Sequence, residues 1–389
     1  MQQSIWSRQS FSFAFFFFAY YGYVGVFSPY ASLYFADRGM TAAQIGVLMS
    51  LMQVMRIFGP NLWGWVADHS RQRVLVLRGT ALAAIICFSG MFFGQTFGHF
   101  LAIMIFLNLF TSAQSPLSEA LTLSEMRGDL THYGRIRLWG SVGFIASVMG
   151  AGPWLDLFGI GWMPWITTLL LLMVLVASLH MREAPPSHPK HMPSVMALLK
   201  QREVIAFFVS AFMMIAAHAA LYVFYSLYLA EIGYSKTVIG LMWSLGVIAE
   251  IIFFYYQAPL FRRFGVQKLL VGSFILAGAR FLMIGYGAES LVLLLLAQVL
   301  HAASFGVHHS GSVFTMQRWF GGPLQARGQA LLISISYGLG GTIGGLIMSV
   351  FWDALGARAV YSMAAVFALS GAVAIALCYR WQHQKEEKA

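Results

Sequence analysis

Of 389 residues, 59% are hydrophobic, 15% aromatic and only 10% charged, against about 25% charged in an ordinary soluble domain. With a mean hydropathy of +0.72, the composition excludes a soluble fold and reads as a chain embedded in a bilayer. The net charge of +10 arises from basic residues in the loops between apolar runs, so topology accounts for it and nucleic acid is not an expected partner.

A spanning helix takes about 20 mostly apolar residues, and apolar runs broken by charge, Gly or Pro predict twelve. They lie near 10–36, 42–67, 74–94, 97–124, 133–155 and 161–181, then 203–230, 236–259, 268–286, 290–317, 326–351 and 356–379. The first run, from Phe11 past Tyr30, is too long for a signal-peptide core and no polar cleavage region follows it, so it reads as a retained first helix. Connections are short except 182–202, a stretch rich in Pro, His and basic residues at the midpoint. It predicts a linker between an N-terminal bundle of six helices, 1–181, and a C-terminal one, 203–389. Cys87 and Cys378 fall inside apolar runs far apart in sequence and read as buried thiols rather than a disulfide.

Lys and Arg collect in cytoplasmic loops. With the N-terminus inside, nineteen of them, among them Arg71, Arg73, Arg78, Arg135, Arg137 and Arg318, fall on one side, and only Arg38, Lys236 and Arg358 on the other. The asymmetry predicts an even number of spans and both termini in the cytoplasm; the expected location is a bacterial-type inner membrane.

The two halves repeat at a spacing of 194 residues. Ser32-Leu33-Tyr34-Phe35-Ala36-Asp37-Arg38-Gly39 falls on Ser226-Leu227-Tyr228-Leu229-Ala230-Glu231-Ile232-Gly233, and the match continues through Thr41/Ser235, Ile45/Ile239, Gly46/Gly240 and Ser50/Ser244. Like halves with a site between them near mid-membrane are the build of many secondary transporters. No phosphate-binding loop, zinc spacing or membrane-protease motif occurs, so no cofactor, metal or catalytic residue is expected and the chain does not read as an enzyme. The run Gly338 to Gly345 contains small-xxx-small pairs, which read as close helix packing, with helix bending during transport as the alternative.

The segment Gly64-Trp65-Val66-Ala67-Asp68-His69-Ser70-Arg71-Gln72-Arg73 resembles the loop between helices two and three of the major facilitator superfamily. Gly64, Ala67, Asp68 and Arg73 match its pattern, while Arg71 stands where the pattern has Gly. The second copy, Leu260-Phe261-Arg262-Arg263-Phe264-Gly265, keeps that Gly and has Arg262 at the acidic position. The stretches Tyr133 to Phe144, Ala217-His218-Ala219-Ala220 and Trp243 to Glu250, with weaker support from Leu300-His301-Ala302, are similar to the phenylpropionate-permease-like branch, related to sugar and nucleoside proton symporters. The resemblance implies an all-α integral membrane fold of twelve helices in two pseudo-symmetric bundles. It implies alternating access, a cavity lined by spans one, four, seven and ten, and proton-coupled uptake of small aromatic carboxylates. It also implies an inner gate closed by charge pairs at the cytoplasmic edge, where Asp68 stands with the basic cluster of Arg71 and Arg73, and Arg135 and Arg137 stand at the start of span five; positive-inside topology alone is the other reading for the arginines.

Charge inside a membrane costs at least about 2.5–3.5 kcal/mol and by default marks function. Arg56 and Glu250 occupy equivalent positions in spans two and eight, since 56 plus 194 is 250. Arg56 is the candidate for binding a substrate carboxylate through its planar fork, and Glu250 for carrying a proton or orienting substrate. A structural ion pair, or satisfaction of each within its own bundle, is the alternative. Glu119, near Pro116 in span four, is a further candidate proton acceptor, with a polar packing role as the alternative. His301 and His308, seven apart in span ten, are expected on one helical face. With His218 in span seven they could relay protons or touch substrate, or be buried neutral histidines. Tyr20 and Tyr23 could stack on an aromatic cargo or face lipid, and Asn108 and Gln298 are candidate polar contacts because hydrocarbon would penalise them. Arg280 is charged and intramembrane, without an assigned role.

The sequence thus predicts a proton-coupled importer of a small organic, aromatic acid, working as a monomer with only substrate, protons and lipid as partners. A proton-driven exporter of amphipathic compounds and a sugar or nucleoside proton symporter are the competing readings, and a membrane-embedded enzyme or receptor the remote one.

Overall fold

The computed structural model describes residues 8–126, 130–183, 195–321 and 324–387, and among them there is no strand. In chain order the helices are α1 (Arg8–Asp37), α2 (Ala42–Ser70), α3 (Arg73–Ser89), α4 (Phe97–Thr111), α5 (Gln114–Glu125), α6 (Leu130–Phe158) and α7 (Met163–Leu179). There follow α8 (Met196–Leu199), α9 (Arg202–Glu231), α10 (Lys236–Gly287), α11 (Leu291–Val299), α12 (His308–Trp319), α13 (Gln325–Leu332) and α14 (Gly341–Glu386).

Among the described residues, ten helical stretches are long and apolar enough to cross a membrane. Two are overlong. At 1.5 Å per residue, the 52 residues of α10 would run about 78 Å, against a hydrocarbon core of about 30 Å. The helix is broken inside by Gly265 (φ 77, ψ 157), and α14 by Gly356 (φ 75, ψ 178). A residue with a side chain is torsionally strained in this region, which glycine tolerates. The pieces on either side correspond to the spans expected at 236–259 and 268–286, and at 326–351 and 356–379.

Span four is broken as well, between α4 and α5, where the Ser112 N–H turns back to Asn108 O at 3.0 Å. Pro116 then sits in the first turn of α5, where its missing N–H costs nothing, and the break lies just before it. In the second half, π-helical turns join α11 to α12 (Ala302–Val307) and α13 to α14 (Ile333–Gly340). The break at 108–113 and the π turn at 302–307 are 194 residues apart.

The chain divides into two compact units, Met1–His188 with Gly233–Ser244, and Pro189–Ile232 with Leu245–Ala389. In the first, Phe13, Phe16 and Phe17 of α1 pack with Leu77 and Ala81 of α3, Leu117 and Leu121 of α5 and Val174 of α7. Helix α1 meets α6 backbone to backbone, since a Cβ on Gly25 would lie 2.7 Å from Phe144 O. Two long-range caps tie helix ends here. Glu183 accepts from the Arg73 and Val74 N–H groups at 3.2 and 2.9 Å, capping α3. Arg78 of α3 donates to the carbonyls of Ser178, Leu179 and Met181 at the end of α7. Each satisfies backbone groups that a helix end leaves unpaired. Likewise Asp156 caps the start of α10, accepting from Lys236 N, Thr237 N and Thr237 Oγ1 at 2.8, 2.8 and 2.6 Å.

In the second unit α9 packs along α14. A Cβ on Gly340 would lie 2.6 Å from Phe212 O and one on Gly344 2.5 Å from Ala216 O. The glycine run is therefore a close-packing seam, as its small-residue spacing implies.

Candidate functional site

The first unit gathers one charged group from each of three helices around the tyrosines of α1. Ser115 and Glu119 lie one turn apart on α5, and Ser115 Oγ donates to Glu119 Oε1 at 3.0 Å. Arg137 of α6 places Nε 3.7 Å from the same oxygen, with both side chains about one-third exposed. Its guanidinium lies 3.9 Å from the centroid of the Tyr21 ring, a cation–π contact, and Tyr21 Oη is 3.4 Å from Ser115 Oγ. Tyr20 meets Tyr21 edge-on at 5.1 Å and Tyr23 at 6.3 Å. Arg56 of α2 acts electrostatically on both Tyr20 and Tyr21.

Arg137 thus stands beside Glu119, a partner its expected gating role did not include, while Arg135 is exposed. Asp68 pairs with Arg73 at 3.3 Å on the surface. Arg71 ends α2 in the left-handed conformation, φ 54. Asn108 is buried and spends its Nδ2 on Met104 O one turn back.

The second unit holds a buried polar network. Arg280, in the second half of α10, is fully buried. It donates to Ala297 O at 2.8 Å, Ser304 Oγ at 3.2 Å and Gln298 Oε1 at 3.2 Å. Gln298 passes the chain on, its Nε2 donating to Tyr225 Oη at 2.5 Å. Next to this network His301 Nε2 lies 3.5 Å from Glu250 Oε2. The His301 ring stacks on Phe305 and stands 6.3 Å from the ring of His218. His218 donates through Nδ1 to Met214 O at 2.9 Å, because a carbonyl can only accept.

His301 and His308 differ in their ring and hydrogen-bond contacts. The π turn between them takes up an extra residue and shifts the helical phase. His308 consequently lies against Phe274 and 3.4 Å from Ser312 Oγ. Seven-residue spacing implies one face only for an unbroken α-helix. Sequence reasoning also left Arg280, Tyr225, Ser304 and Ser115 without roles. A lone arginine in an apolar run was the available signal for Arg280; its partners, 17 to 24 residues away in sequence, were not legible. Among the described residues no three His, Cys, Asp or Glu side chains come together as a metal site.

Chemically, the first cluster presents a guanidinium on an aromatic shelf with a carboxylate that an incoming anion could replace. The second presents a carboxylate–imidazole pair that can hold a proton, backed by a fixed cation.

Comparison with known proteins agrees with this architecture. A family model described as "MFS_1 like family" matches residues 10–363. The chain is 30% identical over 342 residues to a probable 3-phenylpropionic acid transporter of Escherichia coli (strain K12), covering 86% of this chain and 88% of that one. It is 27% identical over 383 residues to the maltose permease of Geobacillus stearothermophilus, covering 97% and 96%. Among solved structures, that of the nucleoside transporter NupG superposes with a TM-score of 0.83 at 18% identity, covering 95% of this chain and 99% of that one.

Proposed function

The chain belongs to the MFS_1-like family of the major facilitator superfamily, a transporter family with an all-α membrane fold, and from that premise we propose that it is a proton-coupled importer of a small aromatic carboxylate. The observation that carries the reading is the Glu250–His301 contact of 3.5 Å, a proton-holding pair within a membrane-spanning stretch, where charge is retained for function. The Arg137–Glu119–Tyr21 cluster supports it, offering a guanidinium and aromatic faces to an aryl acid. The similarity to a probable 3-phenylpropionic acid transporter points to the same cargo class.

In this reading twelve spans form two bundles, 1–181 and 203–389, with both termini in the cytoplasm of a bacterial-type inner membrane. Arg56 receives the substrate carboxylate, Tyr20 and Tyr23 flank its ring, and Asn108, Gln298 and His301 contribute polar contacts. Glu119, Glu250, His218 and His308 serve the proton, and Asp68, Arg71, Arg73, Arg135 and Arg137 the gate. Arg137, in contact with Glu119, would also link gate and site. Protonating a carboxylate in the cavity neutralises it, so the loaded and the empty carrier reorient while the ionised intermediate does not. The similarity to a maltose permease supports a second reading, a sugar or nucleoside symporter of the same mechanism.

The test is reconstitution in liposomes with a pH-sensitive dye inside, challenged with aromatic carboxylates, sugars and nucleosides. Internal acidification by the carboxylates, lost in Glu250→Gln and Glu119→Gln, is the expected result. Acidification by sugars or nucleosides alone would move the reading to the second class. No response to any of them, with proton release driven by amphipathic dyes, would make the protein an exporter.

A further inference from the structure

His218 is completely buried on α9, and among the described residues its Nε2 has no hydrogen-bond partner, nor does Nδ1 of His301. Burying a polar atom without a partner is costly, and such atoms call for an explanation. The chemistry of each orphan follows from its ring's other nitrogen. In His218, Nδ1 carries the hydrogen, because it lies 2.9 Å from Met214 O; Nε2 of the neutral ring is then a bare lone pair, an acceptor. In His301, Nε2 faces the Glu250 carboxylate, so a neutral ring that donates its Nε2–H to the ionised carboxylate leaves Nδ1 as an acceptor too. The two rings are 6.3 Å apart.

The surroundings define what can reach them. Around His218 stand the rings of Tyr222 at 6.2 Å, Phe281 at 5.2 Å and Phe305 at 6.0 Å. Charged and titratable groups near His218 include Arg280, His301 and His308, and Arg280 is already engaged by Ala297, Gln298 and Ser304. Two acceptor nitrogens in an aromatic enclosure repel a carboxylate and attract a donor. With too few His, Cys, Asp or Glu groups for a metal site among the described residues, a hydroxyl or N–H group is the chemistry that satisfies them.

We infer that His218 is a specificity-determining residue of the second unit, reading a hydrogen-bond donor on the cargo. The cargo therefore carries a hydroxyl or N–H group on or near its ring, in addition to any carboxylate. This deepens the proposed function and rests on it for the aryl-acid class, but not for the donor itself. A site built to bond a hydroxyl discriminates against the analogue lacking it, because its own polar groups are then left unpaired.

The experiment measures binding to the purified protein in nanodiscs, and uptake in liposomes, for three matched pairs: phenylpropionate with its ring-hydroxylated analogue, a nucleoside with a deoxy analogue, and a sugar with a deoxy analogue. Wild type is expected to favour the hydroxylated member of the transported pair by about tenfold. His218→Phe, which keeps a ring and loses the acceptor, should erase that preference in the binding measurement, whatever the substitution does to proton-coupled uptake. His218→Gln, which returns an acceptor near the Nε2 position, should restore part of it, and wild-type selectivity tests the proposal even where a variant fails to fold. Aryl acids transported without hydroxyl preference, or a preference that survives in His218→Phe, would overturn the role of His218 and leave the aryl-acid reading standing. A preference confined to nucleosides or sugars and lost in His218→Phe would uphold His218 and overturn the aryl-acid reading instead.

Discussion

The junction between α2 and α3 allows the repeat to be tested at a single backbone torsion. Arg71 closes α2 with φ 54 and ψ 24, and among the described residues it is the one non-glycine with positive φ. The repeat places Gly265 at the equivalent position, also with positive φ, 77. A side chain with L-chirality pays roughly 1–2 kcal/mol in the left-handed region. Glycine avoids that cost but gives back about 0.4–1 kcal/mol through its freer unfolded chain. The Arg71 side chain is exposed, so little packing is lost with it. Arg71→Gly should therefore stabilise the protein by about 0.5–1 kcal/mol, raising the melting temperature by about 1–4 °C for a unit of this size. The converse substitution, Gly265→Ala, should destabilise by about 1–3 kcal/mol, since φ 77 with ψ 157 is a conformation open essentially to glycine alone. No atom lies within 4 Å of the added Cβ, so the loss would be backbone strain, not a clash. Thermal unfolding of the detergent-purified variants, followed by intrinsic tryptophan fluorescence, reads both. A lower melting temperature for Arg71→Gly, or an unchanged one for Gly265→Ala, would refute the torsional argument.

Arg137→Lys keeps the charge but loses the fork and much of the stacking on Tyr21, so uptake should fall about tenfold; Tyr21→Phe, which keeps the ring, should stay near wild type in the same assay. Arg56→Ala should abolish uptake with normal membrane insertion, and full activity in that variant would remove Arg56 from the site. Gly344→Ala should cost about 1–3 kcal/mol by pushing a methyl group into the Ala216 backbone, whereas Gly272→Ala, with open space around it, should be neutral or mildly stabilising in the same unfolding assay. Glu183→Ala should lose the cap on α3 at a cost of about 1–2 kcal/mol, seen as faster exchange of the Arg73 and Val74 amide hydrogens; unchanged exchange would mean that solvent caps the helix equally well.

Much of the architecture could be read from the chain because it is set by local rules. Apolar runs of spanning length, the 194-residue repeat and the basic loops depend on composition and spacing, and the bilayer enforces them strictly: it leaves no other way to satisfy the backbone. The same holds for the glycine seam, whose small-xxx-small spacing is a local signal of close approach. What sequence could not supply was the partner of each polar group. Glu119 and Arg137 lie on separate helices, Arg280 reaches Ala297, Gln298 and Ser304 across a turn, and Glu183 caps a helix that begins 110 residues earlier. Such pairings are fixed only when helices pack. The helix breaks were hidden for a related reason: Ser112-Ala113 contains no strong breaker and Ala302–Val307 only Gly306, which a membrane helix can carry unbroken, so the change of phase that separates His308 from His301 arises in packing. The sequence by itself determined which segments are long and apolar enough to cross a membrane and that the chain repeats at 194 residues, because transfer from water and the helical period act residue by residue. Tertiary structure alone decided which charges meet, since a buried charge is stabilised by whatever stands within a few ångströms of it, and that distance belongs to the packed helices and not to the chain.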